Sequence, residues 1–276
     1  MLKFGPAGIP IGCKNSLESP KFLNDLGLES MELEFVRGVV MGEQTAEELG
    51  KRSKEFNITL SCHAPYWINL AAKEPHKIHA SINFIVNSAK ILSIAGGGVV
   101  VFHPAFYLSR PSEEVYKIVK KNIETIISML EKDRIKNIVL GPELTGKKSA
   151  FGDLNEIIMM AKDFKGLIPV VDFAHYHARH GGIIKGEKEY LEIFNAIEKE
   201  LGRKYVESFH CHFSEIRYSK AGELSHLPLF TTNEPPIRPL LKVCVENGYS
   251  GNIISETPFT SDDSLRMKEI YLKLKS

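Results

Sequence analysis

Hydrophobic and polar positions alternate along this chain in blocks. Short apolar runs recur at Leu2–Gly5, Ser30–Glu34, Ile58–His63, Gly98–His103, Asn137–Glu143, Ile168–Asp172, Tyr205–His212 and Gly251–Glu256. Their length and continuous apolar character predict strands buried on both faces. Between them lie stretches whose apolar residues return every three or four positions: Ala46–Phe56, His76–Ile94, Ser112–Lys132, Asp153–Phe164, Glu187–Leu201, Ile237–Asn247 and Ser261–Leu274. That period predicts amphipathic helices. A shorter helix is expected near Ser19–Leu26. Ser112 and Asp153 are placed to start helices as N-caps, and Gly202 to end one.

Eight strands alternating with helices predict an α/β fold, a single (β/α)₈ TIM barrel spanning residues 1–276 as one domain. A doubly wound open sheet has the same alternation, but it usually opens with a glycine-rich phosphate turn leading into a helix. Gly5-Pro6-Ala7-Gly8 is not followed by a clear helix.

The chemistry sits at the strand ends. His63 closes the third apolar run, His103 the fourth, Glu143 the fifth and Asp172 the sixth, with His175 three residues on. His210 and His212 close the seventh and Glu256 the eighth. In a parallel barrel these ends share one mouth, where barrel enzymes hold their catalytic groups. A lone histidine or carboxylate at a strand end is more often structural. Six consecutive strands ending this way are harder to explain without a cation, because carboxylates crowded away from water repel one another. Imidazole mixed with carboxylate suits Zn²⁺, with Mn²⁺ or Fe²⁺ as alternatives. His210 and His212 lie two apart on one strand and face the same side, so one is expected to ligate and the other to support it. Glu223 and His226, after the seventh strand, could reach back over the mouth, but taken alone that segment reads better as a solvated loop. His76, His79 and His180 are expected at the surface. For His177, loop packing and substrate contact stay equally open. Cys62 and Cys211 precede candidate ligands by one residue, so strand alternation turns them outward as small buried apolar groups.

The composition narrows the class. In 276 residues, 43% are hydrophobic and 25% charged, with a net charge of +1. That is ordinary for a soluble globular protein and excludes a uniformly basic nucleic-acid coat, though not a local basic surface. Four cysteines with no CxxC pair argue against a disulfide framework. No run reads as a signal peptide or membrane span, so a cytoplasmic monomer without membrane association is expected.

The ordered set of motifs resembles the endonuclease IV family, zinc-dependent apurinic/apyrimidinic endonucleases on a barrel, in a divergent archaeal-type branch. The resemblance rests on His63-Ala-Pro-Tyr-Trp-Ile-Asn-Leu, Phe102-His103-Pro104, Glu143 with its loop to Gly152, Asp172-Phe-Ala-His175, His212-Phe-Ser-Glu215 and Ser255-Glu256-Thr257-Pro258. It implies a three-metal site. His63 and His103 would hold one zinc, and Asp172, His212 and Glu256 a second. Glu143 would bridge these two as the central catalytic group. His175 and His226 would hold a third zinc with help from Glu223. It further implies hydrolysis of the phosphodiester 5′ to abasic sites in double-stranded DNA, a reaction that paired metals suit because they stabilise both attacking and leaving oxygens. Leu144 stands where the family usually has Asn, the Glu223–His226 spacing is longer than the family's Asp-x-His, and Trp67 replaces a smaller apolar residue. On this resemblance, Arg37, Lys147, Lys148, Arg179, Lys185, Arg217 and Lys220, all in loops after strands, are candidate phosphate contacts. Tyr66 and Trp67 are candidate wedges into the duplex gap.

Two other functions compete. A single-metal sugar isomerase or epimerase of the xylose-isomerase-like superfamily would use Glu143, Asp172, His212 and Glu256, and would leave His63, His103, His175 and His226 without work. A non-catalytic nucleic-acid-binding barrel would have no need of the whole set.

Overall fold

The computed structural model describes residues 1–276. Eight strands form the barrel: β1 Leu2–Pro6, β2 Ser30–Glu34, β3 Thr59–His63, β4 Gly98–Phe102, β5 Ile138–Pro142, β6 Val170–Asp172, β7 Phe209–Phe213 and β8 Gly251–Ser255. They pair in parallel as two four-stranded halves, in the orders β1-β8-β7-β6 and β2-β3-β4-β5. Parallel bridges join the halves at Ala7 and Glu32 on one side, and at Leu140 with Leu167 and Glu143 with Val170 on the other. At the first seam the backbones approach so closely that a Cβ on Gly5 would lie 1.8 Å from the Ser30 carbonyl oxygen. Only glycine fits there.

The helices are α1 Ser19–Asp25, α2 Glu43–Glu55, α3 Pro75–Ile94, α4 Ser112–Lys132, α5 Leu154–Asp163, α6 Phe173–Arg179, α7 Glu187–Leu201, α8 Ile237–Asn247 and α9 Ser261–Lys275. The expected cap at Asp153 forms a full capping box with Glu156. Gly202 ends α7 at a positive φ of 94°. Ser112 is the first residue of α4 rather than its cap, and its hydroxyl turns to Glu156 instead. One apolar cluster runs from Leu2 to Tyr271, filling the space between strands and helices. Cys62 and Cys211 belong to it, facing the helices as alternation requires.

Three departures from the expected elements matter for the site. Lys204–Glu207 forms a turn of helix, so the seventh strand starts at Phe209. The segment after it is an antiparallel hairpin, Glu215–Ser219 with Gly222–Leu227, rather than a solvated loop. The sixth strand is only three residues long, and α6 follows at once. Asp172 caps α6 by accepting from the His175 amide at 2.6 Å, which turns His175 toward the mouth.

Candidate metal centre at the barrel mouth

Eight candidate ligands from seven chain segments meet at the C-terminal ends of the strands. Glu143 lies at the centre and is fully buried. Its Oε2 is 2.9 Å from His63 Nε2 and 3.1 Å from His103 Nε2. Its Oε1 is 3.0 Å from His175 Nδ1 and 3.4 Å from His212 Nδ1. His212 Nδ1 is also 3.2 Å from Glu256 Oε1. His175 Nε2 is 3.1 Å from His226 Nε2 and 3.0 Å from Glu223 Oε2. The hairpin therefore carries both Glu223 and His226 to the mouth despite their spacing. Glycine at position 146 makes room for this, since a Cβ there would lie 2.0 Å from Glu223 Oε2.

Within the expected ligand set three groupings have donor atoms close enough to share one ion: His63, His103 and Glu143; Glu143, Asp172, His212 and Glu256; and Asp172, His175, His226 and Glu256. Two further groupings, Glu32 with His210 and His212, and Glu32 with Glu34 and Glu256, bring in residues outside it. The donors fit a cation better than they fit one another. Glu143 Oε1, Asp172 Oδ2, Glu223 Oε2 and both His212 ring nitrogens are buried without a hydrogen-bond partner, although other polar atoms lie near. Buried polar atoms are rarely left so. Except for Glu223, these residues belong to groupings whose donor atoms lie close enough to share an ion, and the imidazole–carboxylate set suits zinc.

The electrostatics agree. Burial works against charge on His63, but the hydrogen bond and charge of Glu143 outweigh it and push the imidazole up to about 10. Burial likewise opposes charge on His175 and His212. Nearby carboxylates, Asp172 for the first and Glu256 for the second, drive both well above the ordinary histidine range. Burial would raise Glu143, but His103 and His212 carry it well below the carboxylate range. Glu256 moves the other way: burial holds it well above that range. Without a metal, protons must supply the positive charge that these carboxylates demand, and a bound cation would displace them.

Two glutamates outside the expected ligand set face the same interior. Glu32 and Glu34 are alternate residues of β2. Glu32 Oε2 accepts from Ser61 Oγ at 2.7 Å and His210 Nε2 at 2.9 Å, and its Oε1 lies 2.8 Å from His212 Nε2. His210 thus sits behind Glu32, while His212 spans from Glu32 to the mouth. Glu34 ends β2 beside His63, and burial raises its carboxyl to about 7. The signal was present in the sequence: two acidic residues inside a strand that both barrel faces should bury.

The candidate DNA contacts divide. Arg37, Lys147, Lys148, Arg217 and Lys220 are exposed. Lys147 bridges to Gly222 and the Lys148 amide donates to Ala221, so Lys147, Lys148 and Lys220 share one ridge where the Glu143 loop meets the hairpin tip. Lys185 is exposed but pairs with Glu234 at 2.9 Å. Arg179 is not a rim residue. It is 6% exposed, and its guanidinium donates to the Thr145, Lys147 and Ala150 carbonyls and to Tyr107. The Glu143 loop folds over it, so a charge expected in solvent is consumed inside. Tyr66 and Trp67 are 43% and 62% exposed, with ring centroids 5.1 Å apart. His76 and His79 are exposed, and so is His180, which bonds Asp153. His177 is buried edge-on against Tyr218, and burial lowers it to about 4.

The barrel finds its counterpart among known proteins. The chain belongs to the xylose isomerase-like TIM barrel family, whose model matches residues 20–272. It is 38% identical to an uncharacterized protein of Methanocaldococcus jannaschii over 99% of this chain and 98% of that one. It is 28% identical to a probable endonuclease 4 of Mycoplasma genitalium, over 56% of this chain and about half (52%) of that protein's length. Among solved structures it superposes on endonuclease IV from Thermus thermophilus with a TM-score of 0.76 at 17% identity, covering 99% of this chain and 98% of that one. It also superposes on a D-tagatose 3-epimerase-like protein with a TM-score of 0.71 at 19% identity, covering 99% and 98%. These two likenesses are of fold. No helix is long and apolar enough to cross a membrane.

Proposed function

We propose that this chain is a multinuclear zinc-dependent endonuclease that hydrolyses the phosphodiester 5′ to abasic sites in double-stranded DNA, working as one barrel domain. The observation that carries this reading is the donor set beyond a single-metal site. His63 and His103 converge on one oxygen of Glu143, and His226 and Glu223 converge on His175. An isomerase that needs only Glu143, Asp172, His212 and Glu256 leaves those five residues unexplained.

In this reading His63 and His103 would hold one ion. Asp172, His212 and Glu256 would hold a second, with Glu143 shared between them. His175, His226 and Glu223 would hold a third. Bound ions would supply Lewis-acid activation of water and stabilise charge on the phosphate. The chain's own residues do the rest. Glu143, buried and anchored by its backbone amide to the Phe102 carbonyl at 2.9 Å, keeps its two oxygens aimed at separate groups of ligands. Glu32 Oε1 lies 2.8 Å from the far nitrogen of His212, and its charge favours the ring orientation that turns the other nitrogen to the mouth. The lysine ridge and Arg37 would neutralise phosphates. Tyr66 and Trp67 would occupy the duplex gap.

The second reading, a sugar epimerase, keeps one observation in its favour: the four residues it needs do form a single group. Metal content and nicking separate the two. The nuclease reading expects more than one zinc per chain after reconstitution and nicking of an abasic duplex. It also expects near-complete loss of incision in Glu143→Gln with DNA binding partly retained. One metal per chain and no nicking would favour the epimerase.

A further inference from the structure

Glu32 and Glu34 point the same way from one strand, yet only one of them is used. Glu32 has Ser61, His210 and His212 around it. Glu34, a step nearer the mouth, has an Oε1 that is shut from solvent and has no hydrogen-bond partner. With His226, Glu256 and Thr257 it lines a cavity of about 370 Å³ that opens beside the candidate ligands. A carboxylate oxygen buried without a donor is costly, and substrates commonly supply what such a group lacks. The incoming group is not a phosphate, because Glu34 already shares its surroundings with Glu32 and Glu256, and a further anion would be repelled. The oxygens of Glu32, Glu34 and Glu256 lie close enough to share a cation, and zinc content separates that case from the one argued here, a neutral donor on the uncharged part of the substrate.

We propose that Glu34 is a specificity-determining residue that accepts a hydrogen bond from the C1′ hydroxyl of the abasic deoxyribose. This rests on the nuclease reading and deepens it. Within a DNA strand the 3′ and 5′ oxygens are esterified and C2′ carries no oxygen. A closed deoxyribose that has lost its base therefore offers one free hydroxyl, at C1′. A residue that still carries its base has no hydroxyl there, so the contact would mark the lesion itself rather than the backbone around it.

The test uses the full metal-loaded chain and two duplexes that differ in one group, an abasic residue and a tetrahydrofuran residue that lacks the C1′ hydroxyl. A hydrogen bond to the Glu34 carboxyl predicts about a 10-fold preference in kcat/KM for the hydroxyl-bearing duplex. Glu34→Ala should bring the ratio close to one. Glu34→Gln, which keeps the shape and a neutral acceptor, should fall between, and zinc per chain should be the same in all three proteins. A wild-type ratio near one, or a preference that survives in Glu34→Ala, overturns the inference and leaves the nuclease reading standing. Loss of zinc in Glu34→Gln would make Glu34 a ligand and overturns it too. Failure of the wild type to incise either duplex removes the nuclease reading and this inference together.

Discussion

Replacing Arg179 with alanine separates a structural arginine from a DNA-binding one. The side chain is 6% exposed, and its Nη1 lies 3.2 Å from the Thr145 carbonyl, 2.7 Å from that of Lys147 and 2.9 Å from that of Ala150. Nη2 reaches the Tyr107 hydroxyl at 3.1 Å. The substitution strands the Thr145 and Ala150 carbonyls, while that of Lys147 keeps its bond from the Ala150 amide at 3.0 Å. An orphaned buried acceptor costs about 1–3 kcal/mol. Water can reach part of this loop, since Lys147 and Lys148 are exposed, so the expected sum is about 3–4 kcal/mol rather than the full total. In a domain of this size that is a fall in Tm of roughly 6–12 °C. Arg179→Lys keeps the charge but cannot span three carbonyls with one ammonium group, so it should recover only part of the loss. Urea unfolding gives the free energy, and DNA affinity against salt concentration gives the second readout. The salt slope of Arg179→Ala should match wild type. A loss of stability under about 1 kcal/mol, or a slope reduced by about one unit, would return Arg179 to the DNA surface and refute the argument.

Alanine at Arg37, Lys147, Lys148 or Lys220 should do the reverse, weakening binding to many DNA sequences alike and lowering the salt slope by about one unit per lost contact, with Tm unchanged. Tyr66→Ala and Trp67→Ala should leave the slope alone and reduce the preference for abasic over intact duplex, as measured by competition binding. Glu32→Ala removes the carboxylate that orients His212, so zinc affinity measured by chelator competition should fall about 10- to 100-fold. Unchanged affinity in that variant would mean that His212 needs no such support.

Much of the site was legible in the chain alone, for a geometric reason. A parallel barrel brings every strand's C-terminal end to one mouth, so a His, Asp or Glu closing six successive apolar runs had to meet there once the alternation was recognised. His63, His103, Glu143, Asp172, His212 and Glu256 required only strand ends, and Cys62 and Cys211 only the two-residue period. What the chain could not reveal depends on distances between segments far apart in sequence. His210 and His212 face the same side, and only Glu32, 178 residues from His210, decides which of them looks into the mouth. Glu34 differs from Glu32 only in what surrounds it. Arg179 and Lys185 are alike as charges in the segment after the sixth strand, but the Glu143 loop closes over one and leaves the other at the surface. Glu223 and His226 lie three residues apart, and a hairpin with a register shift between Arg217 and Tyr218 carries both to the same imidazole. Periodicity reports which face a residue takes, because it is set by the local backbone. Which partner it finds on that face is set by packing among elements that periodicity does not connect.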